Sequence, residues 1–137
     1  LEATETRAGL SQFEPEIVKQ KIQEASTEAD IVVVSMHWGE EYEASANAYQ
    51  RELAHVLVDA GADLIIGHHP HVVQEVEKYK EGYVAYSLGN FIFDQGFSKA
   101  TTEGLMLKVL VDMGEIIEVE KIPLKINGTF QPAIVRS

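Results

Sequence analysis

Four of the five histidines lie directly after one of two apolar segments of the chain. His37 follows the segment that ends at Met36, and His68, His69 and His71 follow the segment that ends at Gly67. A neutral imidazole is a common ligand of Zn, Fe, Mn and Ni ions. Pro70 stiffens the loop between two of these histidines, which lowers the entropy lost when both rings reach one ion. This spacing predicts a metal site. The alternatives are a surface cluster of histidines and, for His37, a structural role.

The segments before the histidines are predicted to be strands of a layered α/β structure. Residues 31–36 form an apolar run rich in β-branched residues, which is typical of a strand buried on both faces, and 64–67 form a second short strand. A helix is predicted before each strand, over 15–29 and over 47–61. Ligands gather at the carboxyl ends of strands in such folds, so we expect His37 to lie beside the 68–71 cluster.

The periodicity of the second helix separates His55 from the other histidines. Leu53, Val56, Leu57 and Ala60 recur at the i, i+3, i+4, i+7 spacing of a buried helix face. His55 falls away from that face. We therefore predict that His55 lies on the surface and takes no part in the metal site.

The second half of the chain is predicted to be mostly β. Residues 73–79 and 83–88 are predicted as strands joined through 80–82, and 105–111 and 116–126 as a second pair turned at 112–115. Asn127-Gly128 is a hairpin signal before 129–135, whereas 2–11 is polar and predicted as loop. The predicted fold class is therefore α/β (α+β), with αβαβ followed by β-hairpins.

Charge and composition restrict the partners. The chain has 22 acidic and 11 basic residues in 137, a formal net charge of −11. Nucleic acids and anionic membranes attract clustered Lys and Arg, so this charge argues against both. There is no cysteine for a disulfide or a thiolate, and no apolar run reaches the roughly 18 residues that span a bilayer. The chain opens on Leu1, so we expect it to begin inside a longer protein.

Three blocks of the sequence resemble bacterial capsule synthesis proteins of the CapA type. They are Asp30–Tyr42, with His-Trp-Gly-Glu-Glu; Gln50–His71, ending in Gly-His-His-Pro-His; and Tyr86–Asp94, with Tyr-Ser-Leu-Gly-Asn-Phe. The resemblance implies part of the four-layer αββα sandwich of the calcineurin-like metallophosphoesterases. It also implies that residues 1–137 are the C-terminal part of one domain, whose N-terminal half is missing from this chain or lies on another chain.

The resemblance implies two divalent metal ions, Mn, Fe or Zn. His37 matches a lone ligand histidine, His69 and His71 match the H-x-H motif, and His68 is a further ligand or hydrogen-bonds one. Glu41 and Asn90 are expected as catalytic residues. The acidic motifs that bridge two ions in that superfamily are absent from this chain. A preceding segment or separate chain is therefore the expected partner that carries those acidic ligands.

Several residues near the histidines allow two interpretations. Glu40 and Glu41 either reach the metal or are solvated loop acids, and Trp38 either walls the pocket or packs in the core. Asn90 and Asp94 either lie at the site or hydrogen-bond their own turn.

The function implied is synthesis or export of poly-γ-glutamate at the bacterial cell surface or membrane-associated exterior, and a cytoplasmic location stays open. Poly-γ-glutamate or other capsule machinery is then a partner, and nucleic acid is not. A metal-dependent hydrolase is the favoured activity. The alternatives are a non-enzymatic binding or export accessory for an anionic polymer, in which a cation bridges like charges, and a general metallophosphatase.

Overall fold

Two helices alternate with the first two strands, and the remaining strands follow mainly as hairpins. The computed structural model describes residues 3–9 and 13–135. Its elements are α1 (Pro15–Ser26), β1 (Val33–His37), α2 (Ala48–Asp59), β2 (Leu64–His68), β3 (Val76–Tyr79), β4 (Gly82–Ala85), a 3₁₀ turn (Ala100–Thr102), β5 (Glu103–Asp112), β6 (Glu115–Ile126) and β7 (Pro132–Ile134). This order confirms the predicted mixed α/β class, while the loop predicted over 2–11 lies partly outside the described residues.

The first sheet has four strands in the order β1-β2-β4-β3. β1 runs parallel to β2 and β2 parallel to β4, whereas β3 and β4 form an antiparallel hairpin. The core under this sheet joins α2 to the sheet through Leu57, Ile65, Val84 and Tyr86, all with essentially no exposed surface. The two parallel strands thus end side by side, as the sequence predicted.

Helix α2 begins at a capping box. The side chain of Asn47 accepts a hydrogen bond from the Gln50 backbone N–H, and the Gln50 side chain accepts one from the Asn47 backbone N–H. The predicted buried face is wrong at Val56, which is 42% exposed, because Ala54 occupies the core beside Leu57 instead. No helix in the described part of the chain is long and apolar enough to cross a bilayer.

β1 differs from the strand that the sequence predicted. Met36 is buried, but Val33 is 55% exposed and Ser35 is exposed. The prediction of burial on both faces is therefore wrong for this strand. The reason is that no described element covers the face of β1 that carries Val33 and Ser35.

The second sheet is an antiparallel ribbon in the order β5-β6-β7. β5 and β6 meet in a tight turn in which Met113 (φ 47°) and Gly114 (φ 83°) both adopt positive φ. The start of β5 lies beside the segment that follows β4: the Leu105 N–H donates to the Leu88 carbonyl at 2.8 Å, and Gly89 and Gly104 form an isolated β-bridge. This junction matters because residues 89–103 form a loop between its two sides.

Candidate metal centre

Parallel pairing brings the two histidine segments together. His37 and His68 are register partners at the ends of β1 and β2, and the Trp38 N–H donates to the His68 carbonyl at 3.1 Å. Beyond the strands, the His37 and His69 ring centroids lie 4.7 Å apart. The two imidazole segments therefore share one edge of the sheet, which is the arrangement that the sequence predicted.

Three side chains offer a compact set of ligand atoms. Glu41, His69 and His71 each present one such atom, and the three atoms lie within 4.8 Å of one another. Glu41 is exposed and both histidines are half-buried, so the set opens to solvent on one side. The structure therefore brings Glu41 beside His69 and His71, where its carboxylate could bind a metal ion as well as act in catalysis.

The remaining histidines stand apart from this set. His37 contacts the ring of His69 but is outside the three-ligand set, and His68 is exposed and lines a separate cavity with Leu88 and Phe91. His55 is half-buried, because its ring stacks on Tyr79 at 3.7 Å and its Nε2 lies 3.0 Å from a Glu77 oxygen. The surface location predicted for His55 is thus only partly right.

The loops that carry the ligand set are held in uncommon backbone conformations. Tyr42, His69 and His71 have positive φ (68°, 102° and 60°), a region that non-glycine residues rarely adopt. The Tyr42 N–H donates to the carbonyl of the buried Pro70 at 2.7 Å, which ties the two loops to each other. Backbone strain of this kind persists where surrounding contacts determine it, and it is concentrated at functional sites.

A close approach of backbone to backbone supports the site from below. A Cβ on Gly67 would lie 1.9 Å from the Tyr86 carbonyl oxygen, so only glycine fits there. The same carbonyl accepts a hydrogen bond from the buried Trp38 Nε1–H at 2.9 Å. Trp38 is therefore a core residue, and it anchors the start of the loop that carries Glu41.

Asn90 contacts the ligand set directly. It is 6% exposed, and its Oδ1 lies 2.9 Å from His71 Nδ1. Glu40 and Asp94 are exposed and lie outside the three-ligand set. Of the four polar residues with two interpretations, the structure thus places Glu41 and Asn90 at the site.

An aromatic rim of Tyr42, Phe93 and Phe97 borders the site, and the sequence analysis missed it. The Tyr42 ring stacks on His71 with centroids 6.1 Å apart, and Phe97 meets Tyr42 edge-on at 5.2 Å. Phe93 lies 5.0 Å from His71. The available signal was the run Phe-Ile-Phe-Asp-Gln-Gly-Phe directly after Asn90, which places three phenylalanines in an exposed loop.

The electrostatics favour a neutral imidazole at His37. Burial lowers the pKa of His37, and the neighbouring rings of His69, His68 and His71 lower it further. A metal ion and a proton compete for the same lone pair of an imidazole, so a lowered pKa of His37 favours the form that can bind a metal. Two imidazoles and one carboxylate with an open side fit a single borderline divalent ion such as Zn, Fe or Mn. Among the described residues, this set has one carboxylate, that of Glu41. A pair of ions would also need acidic residues that bridge them.

Comparisons with known sequences agree on one family. A family model described as bacterial capsule synthesis protein PGA_cap matches residues 1–95. The chain is 43% identical over 129 residues to the capsule biosynthesis protein CapA of Bacillus anthracis, which covers 91% of this chain and 31% of that protein. It is 41% identical over 143 residues to the PGA biosynthesis protein CapA of Bacillus subtilis strain 168, and this match covers 98% of this chain and 38% of that protein.

A more distant relative has a similar assigned role. The chain is 30% identical over 105 residues to a probable polyglutamine synthesis accessory protein of Mycobacterium tuberculosis strain H37Rv, which covers 72% of this chain and 28% of that protein. In all three cases the chain spans only about a third of the relative's length.

Proposed function

Because this chain belongs to the family of bacterial capsule synthesis proteins, we propose that it serves poly-γ-glutamate capsule synthesis through a metal-dependent hydrolase site. The observation that carries the hydrolase part is the convergence of Glu41, His69 and His71 within 4.8 Å. The capsule part is supported by two relatives named CapA and a third named for polyglutamine synthesis.

Each residue of the site has a proposed role. His69 and His71 bind a divalent ion through neutral imidazoles, Glu41 completes the set, and His37 lies against His69 as a fourth donor for the same or a second ion. An ion bound there would polarise a phosphoryl or acyl oxygen and lower the pKa of bound water toward about 7. The open side of the set, bordered by Tyr42 and Phe93, is where the substrate would approach.

A preceding segment, or a separate chain, would complete the site. β1 is the edge of its sheet, and among the described residues no strand pairs with its outer side. The Trp38 N–H and the Val32 carbonyl bond to the β2 side, so alternation directs the backbone groups of Val33, Ser35 and His37 outward. A strand added at this edge would end beside His37 and could supply the second carboxylate. The length of the relatives, about three times this chain, leaves room for it.

A non-enzymatic accessory is the second candidate. The three-ligand set holds one carboxylate, and the chain carries a net charge of −11. A bound cation could then bridge the protein to an anionic polymer without turnover, at the bacterial surface where capsule is assembled. A general metallophosphatase is the third candidate, and it shares the proposed hydrolytic chemistry but not the polymer.

Metal content and turnover of the intact protein separate the two hydrolytic candidates from the non-enzymatic accessory. The protein would be stripped with chelator, reloaded with Mn, Fe or Zn, and assayed for metal stoichiometry and for hydrolysis of a generic phosphodiester. His69→Gln should lose metal and activity together, while the matched His55→Gln should keep both. Full metal loading with no hydrolysis would favour the accessory, and equal metal binding by the two variants would overturn the assigned site.

A further inference from the structure

We infer that Asn90 is a positioning residue that fixes which nitrogen of His71 is free to bind a metal. The inference rests on the proposed function, since it concerns a ligand of the same site. It assigns Asn90 a task different from the catalytic role that the sequence resemblance implied. The evidence is the hydrogen-bond pattern around one buried amide.

The Asn90 amide has a partner on each side. Its Oδ1 lies 2.9 Å from His71 Nδ1, and its Nδ2 donates to the Thr101 carbonyl at 3.0 Å. A longer contact of 3.4 Å joins Nδ2 to Gln95 Oε1. Asn90 is 6% exposed, so water has little access to compete for these hydrogen bonds.

These partners leave one orientation of the amide. A backbone carbonyl can only accept a hydrogen bond, so the NH₂ group of Asn90 must face Thr101. Its oxygen must then face His71, and an oxygen can only accept, so His71 Nδ1 carries the hydrogen. In a neutral imidazole one nitrogen is protonated and the other has the free lone pair. Nε2 is therefore the nitrogen that His71 can offer to an ion.

Asn90 is itself held by the ends of its loop. Gly89 and Gly104 form an isolated β-bridge, and a Cβ on Gly104 would lie 2.3 Å from the Asn90 carbonyl oxygen. Thr101 is 1% exposed and exchanges hydrogen bonds with Ser98 through both side chain and backbone. The loop is thus closed at both sides of Asn90.

A purely structural role for Asn90 would rest on its hydrogen bond to the Thr101 carbonyl, with the contact to His71 incidental. In that case the amide would only close the loop, and the tautomer of His71 would follow the solvent and not Asn90. The two roles differ in one observable, which is the protonated nitrogen of His71 in the metal-free protein. Outer hydrogen bonds of this kind typically contribute about 10–100-fold to metal affinity.

The test is ¹⁵N NMR of the intact, metal-free protein labelled in its histidines, at about pH 8.5, where imidazoles are neutral. His71 is assigned by its loss in His71→Gln. We expect wild type to show Nδ1 protonated and Nε2 free. Asn90→Leu, of similar shape, should release the tautomer and lower the affinity for Zn²⁺ about 10–100-fold. Asn90→Asp loses the hydrogen bond to the Thr101 carbonyl but keeps an acceptor beside His71, so it should preserve the tautomer. Gln95→Leu, the matched control, should change neither the tautomer nor the Zn²⁺ affinity.

Each result bears on the inference. Protonation of Nε2 in wild-type His71 would overturn it, and so would a folded Asn90→Leu variant with an unchanged tautomer. If Asn90→Leu does not fold, the wild-type and Asn90→Asp tautomers decide the question. A wild-type protein with the expected tautomer that binds no metal would sink the proposed function and leave the positioning contact in place.

Discussion

The imidazole rings of His37 and His69 lie 4.7 Å apart, although the two residues follow different strands. Parallel pairing of β1 with β2 accounts for this contact, because it places His37 in register with His68 and the chain then turns at His69. The position of the candidate site is therefore determined by strand order and direction, and its three proposed ligands, including Glu41, lie in the loops that follow the strands. Glu41 gives the first prediction.

Glu41→Gln should weaken Zn²⁺ binding by about 100-fold or more, because it removes the only charged donor of the three-ligand set. Glu40→Gln is the matched control: Glu40 is the adjacent residue, is exposed and lies outside the set. Isothermal titration of the chelator-treated intact protein would measure both affinities. Equal affinities for the two variants would show that Glu41 is a solvated loop acid.

Gly67→Ala should destabilise the protein by about 3 kcal/mol or prevent folding, since the new methyl group would lie 1.9 Å from the Tyr86 carbonyl oxygen. That oxygen belongs to the backbone of the sheet and also accepts the Trp38 hydrogen bond, so it cannot move away cheaply. Gly96→Ala is the control, because nothing lies within 4 Å of a Cβ there. Urea unfolding followed by circular dichroism would compare them, and similar midpoints would contradict the close packing.

The sequence predicted the adjacency of the histidines because that adjacency depends only on the order and direction of two strands. It did not predict the separation of His68 from His69, which depends on the positive φ of His69. Nor did it identify Phe93 and Phe97 as neighbours of the site. Their position follows from closure of the 89–103 loop, which has no periodicity to read.

The one-sided burial of β1 was also beyond the sequence. A run of β-branched residues has the same composition whether its second face is covered by this chain, by another segment or by nothing. Val33 is exposed because the described residues include no element over it. The composition of a strand therefore does not determine how much of each face this chain itself covers.

Met113→Asn should stabilise the protein by roughly 0.5 kcal/mol. Met113 is 97% exposed and has a φ of 47° before Gly114, the conformation that Asn-Gly turns favour between antiparallel strands. Met113→Val should have the opposite effect, because a β-branched residue is disfavoured at positive φ. Thermal unfolding of the three proteins would give the order Asn, Met, Val from most to least stable. Any other order would show that the turn is not of this type.

Glu77→Gln should reduce stability at pH 7 by about 1–2 kcal/mol, and the loss should shrink as the pH falls. Burial raises the pKa of Glu77, but hydrogen bonds from Tyr86 (2.6 Å) and His55 (3.0 Å) and the charge of Arg51 outweigh it and hold that pKa below 4.5. Because the pKa of Glu77 is lower in the folded protein than in the unfolded chain, the ionised carboxylate stabilises the fold fully at pH values above the unfolded-state pKa. This stabilisation is lost as the pH falls through the folded-state pKa.

Urea unfolding of wild type and Glu77→Gln at pH 7, 5, 4 and 3 would measure this convergence. The exposed Glu81, which lies in the turn after β3, provides Glu81→Gln as a control with little effect at any of these pH values. A difference between wild type and Glu77→Gln that stays constant down to pH 3 would show that the carboxylate charge is not the stabilising feature.

Val33→Lys should destabilise the intact protein by about 2–3 kcal/mol if a preceding segment covers the face of β1 that carries Val33, because a charge would then be buried without a partner. In the described residues Val33 is 55% exposed, and a site that stays so exposed would tolerate lysine within about 0.5 kcal/mol. Val56→Lys is the matched control, since Val56 is 42% exposed on α2 and lysine suits a helix surface. Urea unfolding of both variants measures the difference. Equal, small costs would mean that the face of β1 that carries Val33 is not covered in the intact protein.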